Sequence, residues 1–535
     1  MRDYELPGRS AVHAIHGMVV TPNPLASLAA LEILKSGGNA MDGAIAASAA
    51  LGVVEPAMSG IGGDCVVLIA PKGKAEAIAY LGLGRAPAAA NLDWYRNAGI
   101  DRAPPFSAHM VAVPGLVDSW VRLAADHGTI GLDRLLAPAI AHAEGYPVSD
   151  RVARDWAQCV PLLAHDPHTR AQFVPHGRAP RPGALHRRPA LAATLRRIAA
   201  LGRDGFYKGP VAEDIVGYLR GLGGLHTLED FETFSGEYAK CVETRYRGHT
   251  MIMPPPPSLG ILTLLMLNIL ARFDFGGMDP LSADRLHLEI EASRLAYAER
   301  ATLGADGAFD PAAIARMVSP SHGATLAAHI RPGRTLEGLP GIPKGAPAET
   351  TYISVVDRDR NAVSFMATIV DFFGSRLTAP GSGVLLNNRG EYFTTKAADP
   401  NAWASRKRPL SFSLPGILAK DDHSVMSFGI VGGSYQPVGM AHIATNVLDF
   451  GMDAQEALTL ARAFSLDGVL DLERGISERV ALDLAARGHK VVRRSEGPRR
   501  ENGPLGAGQA IWIDREEGTL AGGADPRKDS AAIGY

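Results

Sequence analysis

The sequence predicts an α/β protein in which β-sheets lie between layers of helices. Before Arg331 many segments repeat apolar residues three and four apart, which is typical of amphipathic helices. From Thr350 onward, short runs of alternating and β-branched residues indicate strands, and helical segments follow them. Blocks of helices, then strands, then strands and helices again are consistent with sheets covered by helical layers.

The first predicted elements are a pair of helices and a hairpin. The segment "PLASLAALEILKSGGNAMDGAIAASAALGVVEP" predicts two helices, with Gly37, Gly38 and Asn39 forming the cap and turn between them. The segments "GGDCVVLIAP" and "AEAIAYLGLG" predict two strands joined by "PKGK". From about Asp118 to Leu222 the pattern is helical. Next, "ETRYRGHTMIMPPPPSLG" predicts a strand running into a Pro-rich loop, and "SADRLHLEIEASRLAYAER" predicts a long helix.

The second half of the chain begins with a change in composition. Residues 331–349, "RPGRTLEGLPGIPKGAPAE", are rich in Gly and Pro without periodicity, which predicts an exposed, mobile linker. The segments "TTYISVVDRD" and "NAVSFMATIV" then predict a hairpin whose first strand begins at Thr350. Further strands are predicted in "SGVLLNNRGEYF", "SFSLPGILAK" and "SVMSFGIVGGS", and helices in "PVGMAHIATNVLDFG" and "DAQEALTLARAF".

Composition excludes several classes of protein. The net charge of -2, without runs of like charge, does not favour a nucleic-acid partner. Three distant cysteines without a CxxC pair predict neither a disulfide framework nor a thiolate metal site, and favour a reducing compartment. The start, "MRDYELPGRSAVHAIHGMVV", lacks the apolar core of a secretory signal, and the longest apolar stretches contain charged residues. We therefore expect a cytoplasmic protein with no membrane partner.

The threonine pair at the head of the predicted hairpin suggests a catalytic group. A threonine hydroxyl needs a nearby base, and the residue's own α-amine can serve once the preceding peptide bond is cut. A free α-amine has a pKa of about 7.7–8.0, close to the pH at which a general base works best. On these residues alone, ordinary β-propensity remains the simpler interpretation of Thr350 and Thr351.

Eight blocks, in order along nearly the whole chain, resemble the γ-glutamyltransferase family of N-terminal-nucleophile hydrolases. They are "GMVVTPNPLASLAALEILKSGGNAMDGAIAASAALGVVEPAMSGIGGD", "VPGLVDSW", "GRDGFYKGPVAEDIV", "MPPPPSLG", "ETTYISVVDRDRNAVSFMATI", "GSGVLLNNRGEYF", "KRPLSFSLP" and "GIVGGS". The resemblance implies a four-layer αββα sandwich. It also implies a precursor that cuts itself between Glu349 and Thr350 into a large subunit, residues 1–349, and a small subunit, residues 350–535, which remain one folded unit.

The same resemblance assigns roles to individual residues. Thr350 matches the nucleophile, and Thr368 matches a second threonine whose hydroxyl bonds to it. Gly432 and Gly433 match the backbone pair of the oxyanion hole. Their chemistry agrees with these roles, because glycines after a strand let backbone N–H groups face a substrate.

The residues that would hold a γ-glutamyl group depart from the family pattern. The family binds the substrate's α-carboxylate with an arginine and a pair of serines, and these positions carry Leu83, with Arg85 two residues on, and Ser411 with Phe412. Its α-ammonium ligands are an asparagine, a glutamine and an aspartate, replaced here by Val370, Arg389 and Tyr392. A buried ammonium without acceptors is costly. We predict that Arg85, Arg389, Ser411 and Tyr392, which lie at or near these altered positions, bind the substrate. Asp371 and Glu391 are nearby carboxylates that could replace the missing ammonium ligands.

These departures favour an amidohydrolase acting on a small acid amide, similar to the branch of the family that includes oxamate amidohydrolase. Three alternatives stay open: a γ-glutamyltransferase or glutathione hydrolase with an altered pocket, a cephalosporin-acylase-like enzyme, and an inactive ligand-binding homologue. The segment "HLEIEAS" lacks the cysteine pair of a zinc deaminase signature, and "HDPH" lacks a third metal ligand nearby. The segment "SGIGGD" does not fit a dinucleotide fingerprint. We expect no cofactor and no metal, a small-molecule substrate, and either a monomer or a homo-oligomer.

Overall fold

A computed structural model describes residues 8–342, 348–493 and 505–535, with side chains omitted at 348 and 349. The strands are β1 (Val12–Ala14), β2 (Met18–Thr21), β3 (Asp64–Ala70), β4 (Ile78–Gly82), β5 (Tyr146–Pro147), β6 (Leu185–His186), β7 (Glu237–Lys240), β8 (Val242–Tyr246), β9 (His249–Met253), β10 (Gly304–Ala305), β11 (Ala308–Phe309), β12 (Ala348–Val356), β13 (Ala362–Asp371), β14 (Gly416–Lys420), β15 (His423–Val431), β16 (Ala463–Leu466), β17 (Val469–Leu472), β18 (Val491–Arg493), β19 (Ala507–Ile513), β20 (Leu520–Ala524) and β21 (Ala531–Gly534).

The helices mostly form the outer layers of the molecule and cover the strands. They are α1 (Pro24–Lys35), α2 (Ala40–Val54), α3 (Leu92–Asn97), α4 (Leu116–His127), α5 (Leu132–Glu144), α6 (Asp150–Leu163), α7 (Pro167–Phe173), α8 (Pro189–Leu201), α9 (Asp204–Tyr207), α10 (Pro210–Gly221), α11 (Leu228–Glu232), α12 (Gly260–Leu270), α13 (Ala283–Ala298), α14 (Pro311–Met317), α15 (Pro320–Ala327), α16 (Gln436–Leu448), α17 (Ala454–Thr459) and α18 (Glu478–Ala486). None of the helices within the described ranges is both long and apolar enough to cross a bilayer.

The described residues form two seven-stranded antiparallel sheets. Sheet I has the order β1-β20-β19-β15-β14-β9-β8, and sheet II has the order β21-β2-β12-β13-β3-β4-β7. The sheets face each other through β12 against β15 and β19, while α2 covers β12 and β13 on the outer face of sheet II and α16 covers β15 on sheet I. This arrangement is the expected four-layer αββα sandwich.

Side-chain alternation explains why both faces of the inner strands are buried. In β2, Val19 packs into the cluster shared with α1 and α2, whereas Met18 and Val20 pack between the sheets. Successive side chains of a strand point to opposite faces, so a strand covered on both sides must be apolar throughout. Such strands bring their backbone, and any polar residue they carry, deep into the molecule.

Several predicted elements are confirmed and three are corrected. Helices α1 and α2 meet at the predicted turn, where Gly37 has a φ of +98° and Asn39 caps α2. The single strand predicted from Glu243 onward is instead the hairpin β8–β9. Strand β12 begins at Ala348, two residues before the predicted start. The segment "SGVLLNNRGEYF" forms only isolated bridges, from Leu385 to Thr378 and from Leu386 to Gly62, and then turns into a short 3₁₀ helix, Arg389–Tyr392.

The described part of the predicted linker is attached to the rest of the molecule. The N–H of Thr335 donates to the carbonyl of Arg487 over 2.8 Å, and that of Leu336 donates to the carboxylate of Glu291 over 2.7 Å. Ile342 is buried. Most of residues 331–342 are exposed, as predicted, although these contacts attach the segment to the fold. Its mobility stays a prediction, and residues 343–347 lie outside the described part of the chain.

Candidate active site

Thr350 lies at a shift in register between β12 and β13. The ladder pairs Glu349 with Val370 and Thr351 with Ala367, so Thr350 faces two residues of the neighbouring strand. Such a bulge interrupts the ladder locally and changes the direction of the side chain. Thr350 is only 5% exposed, so its hydroxyl lies inside the sandwich rather than on the surface.

The hairpin brings Thr368 next to Thr350, as the sequence predicted. The two Oγ1 atoms are 3.5 Å apart, and Thr368 Oγ1 also accepts a 2.7 Å hydrogen bond from the N–H of Val370. Gly63 permits this packing, because a Cβ at that position would lie 2.2 Å from the carbonyl oxygen of Thr368. Two threonine hydroxyls are therefore held together at the end of the hairpin.

Val370 has a strained backbone. Its φ is +85°, a conformation that is rare for a β-branched residue and better tolerated by asparagine, the residue of the family pattern. Strain of this kind costs on the order of 1–3 kcal/mol. It occurs opposite Glu349, at the peptide bond that the resemblance identifies as the cleavage site.

The glycine pair after β15 forms a tight turn beside β12. Gly432 has a φ of +128°, and a Cβ there would lie 2.8 Å from the Cα of Gly506, so both the conformation and the space require glycine. Gly433 begins a short 3₁₀ turn, Gly433–Tyr435, that packs against β12. The hydroxyl of Tyr297 donates to the carbonyl of Ser434 and so holds the turn in place.

Arg389 forms a buried ion pair that the sequence analysis missed. Its Nε and Nη2 donate to the two carboxylate oxygens of Asp64 over 2.8 and 2.5 Å, and Asp64 also accepts from the N–H of Gly84 over 2.9 Å. Burial lowers the pKa of Arg389, but the Asp64 carboxylate more than offsets this, so the pKa lies above its usual value. Asp64 belongs to "SGIGGD", a motif that the sequence analysis weighed only as a nucleotide fingerprint.

The ion pair decides the charge that Arg389, a predicted substrate-binding residue, brings to the site. Arg389 does not supply an unbalanced cation, because Asp64 neutralises it within the protein. Its Nη1 donates to the buried Ser411 Oγ over 3.1 Å, which places these two predicted residues together. The ring of Tyr392 lies edge-on to that of Phe412, with centroids 6.1 Å apart, so Tyr392 borders an apolar surface.

The two alternative carboxylates differ in their contacts. Asp371 forms a 2.6 Å ion pair with Arg376, so its charge is balanced within the protein. Glu391 accepts a 2.6 Å hydrogen bond from the amide of Asn388. Burial raises the pKa of Glu391 to about 7, and the nearby Asp371 acts in the same direction.

Arg85 lies near the ion pair of Arg389 and Asp64, but its side chain points away from that pair. It follows Gly84, the residue that contacts Asp64, and its guanidinium instead contacts Glu237 at 3.4 Å and Asp306 at 3.9 Å. These contacts are at a cleft of about 390 Å³ that Arg85 and Phe234 help to line. The predicted role of Arg85 in substrate binding therefore has less support than those of Arg389 and Ser411.

Two antiparallel sheets between helical layers form the fold of the N-terminal-nucleophile hydrolases, and Thr350 lies in an inner strand of this fold. A structure of cephalosporin acylase from Bacillus halodurans matches the whole chain with a TM-score of 0.91 and 33% identity, and 99% of that chain is covered. The family model "Gamma-glutamyltranspeptidase" matches residues 26–535. The protein belongs to the γ-glutamyltranspeptidase family and is an enzyme of the hydrolase class.

Curated relatives of this chain have several activities in their names. The glutathione hydrolase-like YwrD proenzyme of Bacillus subtilis is 35% identical, with 97% of this chain and 98% of the relative covered. The oxamate amidohydrolase proenzyme of Klebsiella pneumoniae is 33% identical, with 97% of this chain and 98% of the relative covered. Family membership alone therefore does not select one acyl donor.

Proposed function

We propose that the protein is a self-processing amidohydrolase with Thr350 as its N-terminal nucleophile. The observation that carries the proposal is the buried bulge at which the Thr350 hydroxyl meets that of Thr368, beside the glycine turn. Cleavage between Glu349 and Thr350 would give the large subunit, 1–349, and the small subunit, 350–535.

The chemistry proceeds in two stages. In the precursor, the Thr350 hydroxyl attacks the carbonyl carbon of Glu349, the peptide nitrogen leaves as the new α-amine, and water hydrolyses the resulting ester. In the mature enzyme this amine takes the proton of the Thr350 hydroxyl as it attacks the substrate amide. The backbone N–H groups of Gly432 and Gly433 stabilise the oxyanion, the amine product leaves with the transferred proton, and water releases the acid.

The proposed acyl donor is a small acid amide without an α-ammonium group, of which oxamate is one example. Val370 and Tyr392 offer no anionic acceptor to an ammonium, and the carboxylate of Asp64 is already bound to Arg389. We assign the donor's carboxylate to the hydrogen-bonding groups of Arg389 and Ser411. Asp64 balances the charge of Arg389, so excess positive charge is not the main reason for rejecting γ-glutamyl donors. The enzyme would discriminate against their α-ammonium group mainly because the site lacks acceptors for it.

Intact-mass analysis of the expressed protein tests the processing step. The wild type is expected as two chains, the smaller beginning at Thr350, and Thr350→Ala as one uncut chain. Thr350→Ser should still be cut, because it keeps a hydroxyl. Thr351→Val is the matched control: its hydroxyl donates to the carbonyl of Ala367, so its loss should leave the cleavage site unchanged. Cutting at another bond, or an uncut wild type, would refute the assignment.

A pair of substrates that differ in one group tests the donor. Glutaryl anilide lacks only the α-ammonium of γ-glutamyl anilide, so the ratio of their kcat/KM values isolates recognition of that group. We expect the glutaryl compound to be hydrolysed at least tenfold faster, with oxamate as a second positive substrate. Preference for the γ-glutamyl compound would instead identify a γ-glutamyltransferase or glutathione hydrolase with an altered pocket.

The apolar surface formed by Tyr392 and Phe412 favours a second candidate function, removal of a bulkier acyl chain from a β-lactam nucleus. Two acyl-cephalosporins, one with a glutaryl group and one with a bulkier apolar acyl chain, distinguish this activity, because they share the leaving amine and differ only in the acyl group. The cytoplasmic location expected from the sequence stays a prediction, which fractionation of expressing cells would test.

A further inference from the structure

Two histidines and a glutamate form a buried cluster away from Thr350. His287 and Glu291 lie one turn apart on α13, and His489 follows α18. One nitrogen or oxygen atom from each residue lies within 4.8 Å of the others, and the exposed fractions are 0% for His287 and Glu291 and 7% for His489. His287 and Glu291 belong to the motif "HLEIEAS", to which the proposed function gives no role.

Neighbouring groups orient the three side chains. His287 Nε2 lies 2.8 Å from the carbonyl oxygen of Arg331, which can only accept, so this nitrogen carries the proton and Nδ1 has the lone pair. Because that Nδ1 accepts, its 2.8 Å contact with His489 Nε2 is a hydrogen bond donated by His489, and cation binding requires the His489 proton to move from Nε2 to Nδ1. A histidine whose second nitrogen donates to a backbone carbonyl is typical of metal sites, because the hydrogen bond fixes the tautomer and the ring orientation.

The glutamate is held in a similar way. One oxygen of Glu291 accepts from Arg294 and the other from the N–H of Leu336, both over 2.7 Å. Each carboxylate oxygen has two lone pairs, so one remains on each oxygen beyond these hydrogen bonds.

We propose that His287 Nδ1, His489 Nε2 and the Glu291 carboxylate bind a divalent cation of the zinc type. Two imidazoles and one carboxylate suit zinc better than magnesium or calcium, which prefer oxygen ligands. With bonds of about 2.0–2.1 Å, neighbouring zinc ligands are about 3.3 Å apart, so binding needs the two imidazoles to separate by about half an ångström. Three protein ligands leave the fourth position to water.

The cluster joins segments that are distant in the chain. His287 and Glu291 precede Thr350 and His489 follows it, so after the proposed cleavage the cation would connect the large and small subunits. The carbonyl of Arg331 contacts His287, and the N–H of Leu336 contacts Glu291. Both residues belong to the segment that leads toward the cleavage site. This structural consequence depends on the proposed processing, whereas metal binding itself does not.

Titration of the full-length protein with Co²⁺ tests the site. After treatment with EDTA and removal of the chelator, the wild type should bind one equivalent of Co²⁺ with visible d–d absorption, and Zn²⁺ should displace it. Mg²⁺ and Ca²⁺ should not. His489→Asn should lose this equivalent, whereas His176→Asn, which removes an exposed imidazole, should keep it.

The wild-type titration can refute the proposal without any variant. Absence of d–d absorption at one equivalent, or an equal spectrum in wild type and His489→Asn, would show that the cluster is only a hydrogen-bonded network. Folding of each variant is checked by circular dichroism. If His489→Asn fails to fold, Glu291→Gln replaces it, with the same loss of signal expected. Because the readout is metal binding, it is independent of turnover and of cleavage at Thr350.

Discussion

Replacing Arg389 by glutamine should reveal how strongly the buried ion pair stabilises the site. The side chains of Arg389 and Asp64 are 2% and 0% exposed, and two hydrogen bonds of 2.8 and 2.5 Å connect them. Arg389→Gln would leave the Asp64 carboxylate buried without its guanidinium, which typically costs about 3–5 kcal/mol. For a chain of this length, with an unfolding entropy of about 2.1 cal/mol/K per residue, the Tm should fall by about 3–4 °C.

The comparison needs a control and a double variant. Arg122→Gln removes an exposed partner of Asp126 and should leave the Tm nearly unchanged. Asp64→Asn combined with Arg389→Gln removes both charges, so the double variant should lose less stability than the two single variants together. Thermal unfolding followed by circular dichroism measures all five proteins: the wild type, Arg389→Gln, Asp64→Asn, the double variant and Arg122→Gln.

The same variants separate stability from substrate recognition. Arg389→Gln should still process itself, because the Thr350 hydroxyl does not contact the guanidinium in the proposed reaction, but hydrolysis of the acid amide should fall. If Arg389→Gln shifts the Tm no more than Arg122→Gln does, the pair contributes little and the argument from burial is wrong. Unchanged hydrolysis in a folded variant would remove Arg389 from the proposed donor site.

Three further predictions concern the hairpin, the glycine turn and Glu391. Thr368→Val, nearly equal in volume, should slow processing because it removes the hydroxyl beside Thr350, and the rate at which the uncut band disappears on a denaturing gel measures this. Gly432→Ala should lower kcat/KM by about 10²–10³-fold, because a Cβ 2.8 Å from the Cα of Gly506 would displace the backbone N–H that serves as an oxyanion donor. Gly451→Ala, at a positive φ with open space around it, should lose stability but not activity. Equal activity of the two glycine variants would contradict the role of the turn. Burial raises the pKa of Glu391 from 4.5 to about 7, so the folded protein retains a proton that the unfolded chain releases between these values. Stability should therefore fall as the pH rises from about 4.5 to 7, and Glu391→Gln should flatten that part of the Tm profile; an unchanged profile would show that Glu391 titrates normally.

Local patterns in the sequence were sufficient for much of the fold. The spacing of apolar residues predicts α1 and α2, and Asn39 and the glycines before it predict their junction, because helix formation and capping depend on residues within a few positions. The hairpin β12–β13 was likewise predictable, and with it the approach of Thr350 to Thr368, since a hairpin pairs residues close in the chain. The threonine's catalytic role required the resemblance of the ordered blocks, because strand propensity explains the residue equally well.

Contacts between distant segments were decided only by the tertiary structure. Asp64 and Arg389 are 325 residues apart, and they meet because β3 pairs with β13 and the loop after β13 returns to their shared end. His287 and His489 are 202 residues apart and meet through packing of α13 against α18. Local periodicity determines whether a segment is a helix or a strand and which face is apolar, but it carries no information about which segments become neighbours. For that reason the sequence alone predicted Arg85 and Arg389 as substrate-binding residues and no metal site, whereas the folded chain shows Arg389 in a neutral buried pair with Asp64 and a buried cluster of potential metal ligands.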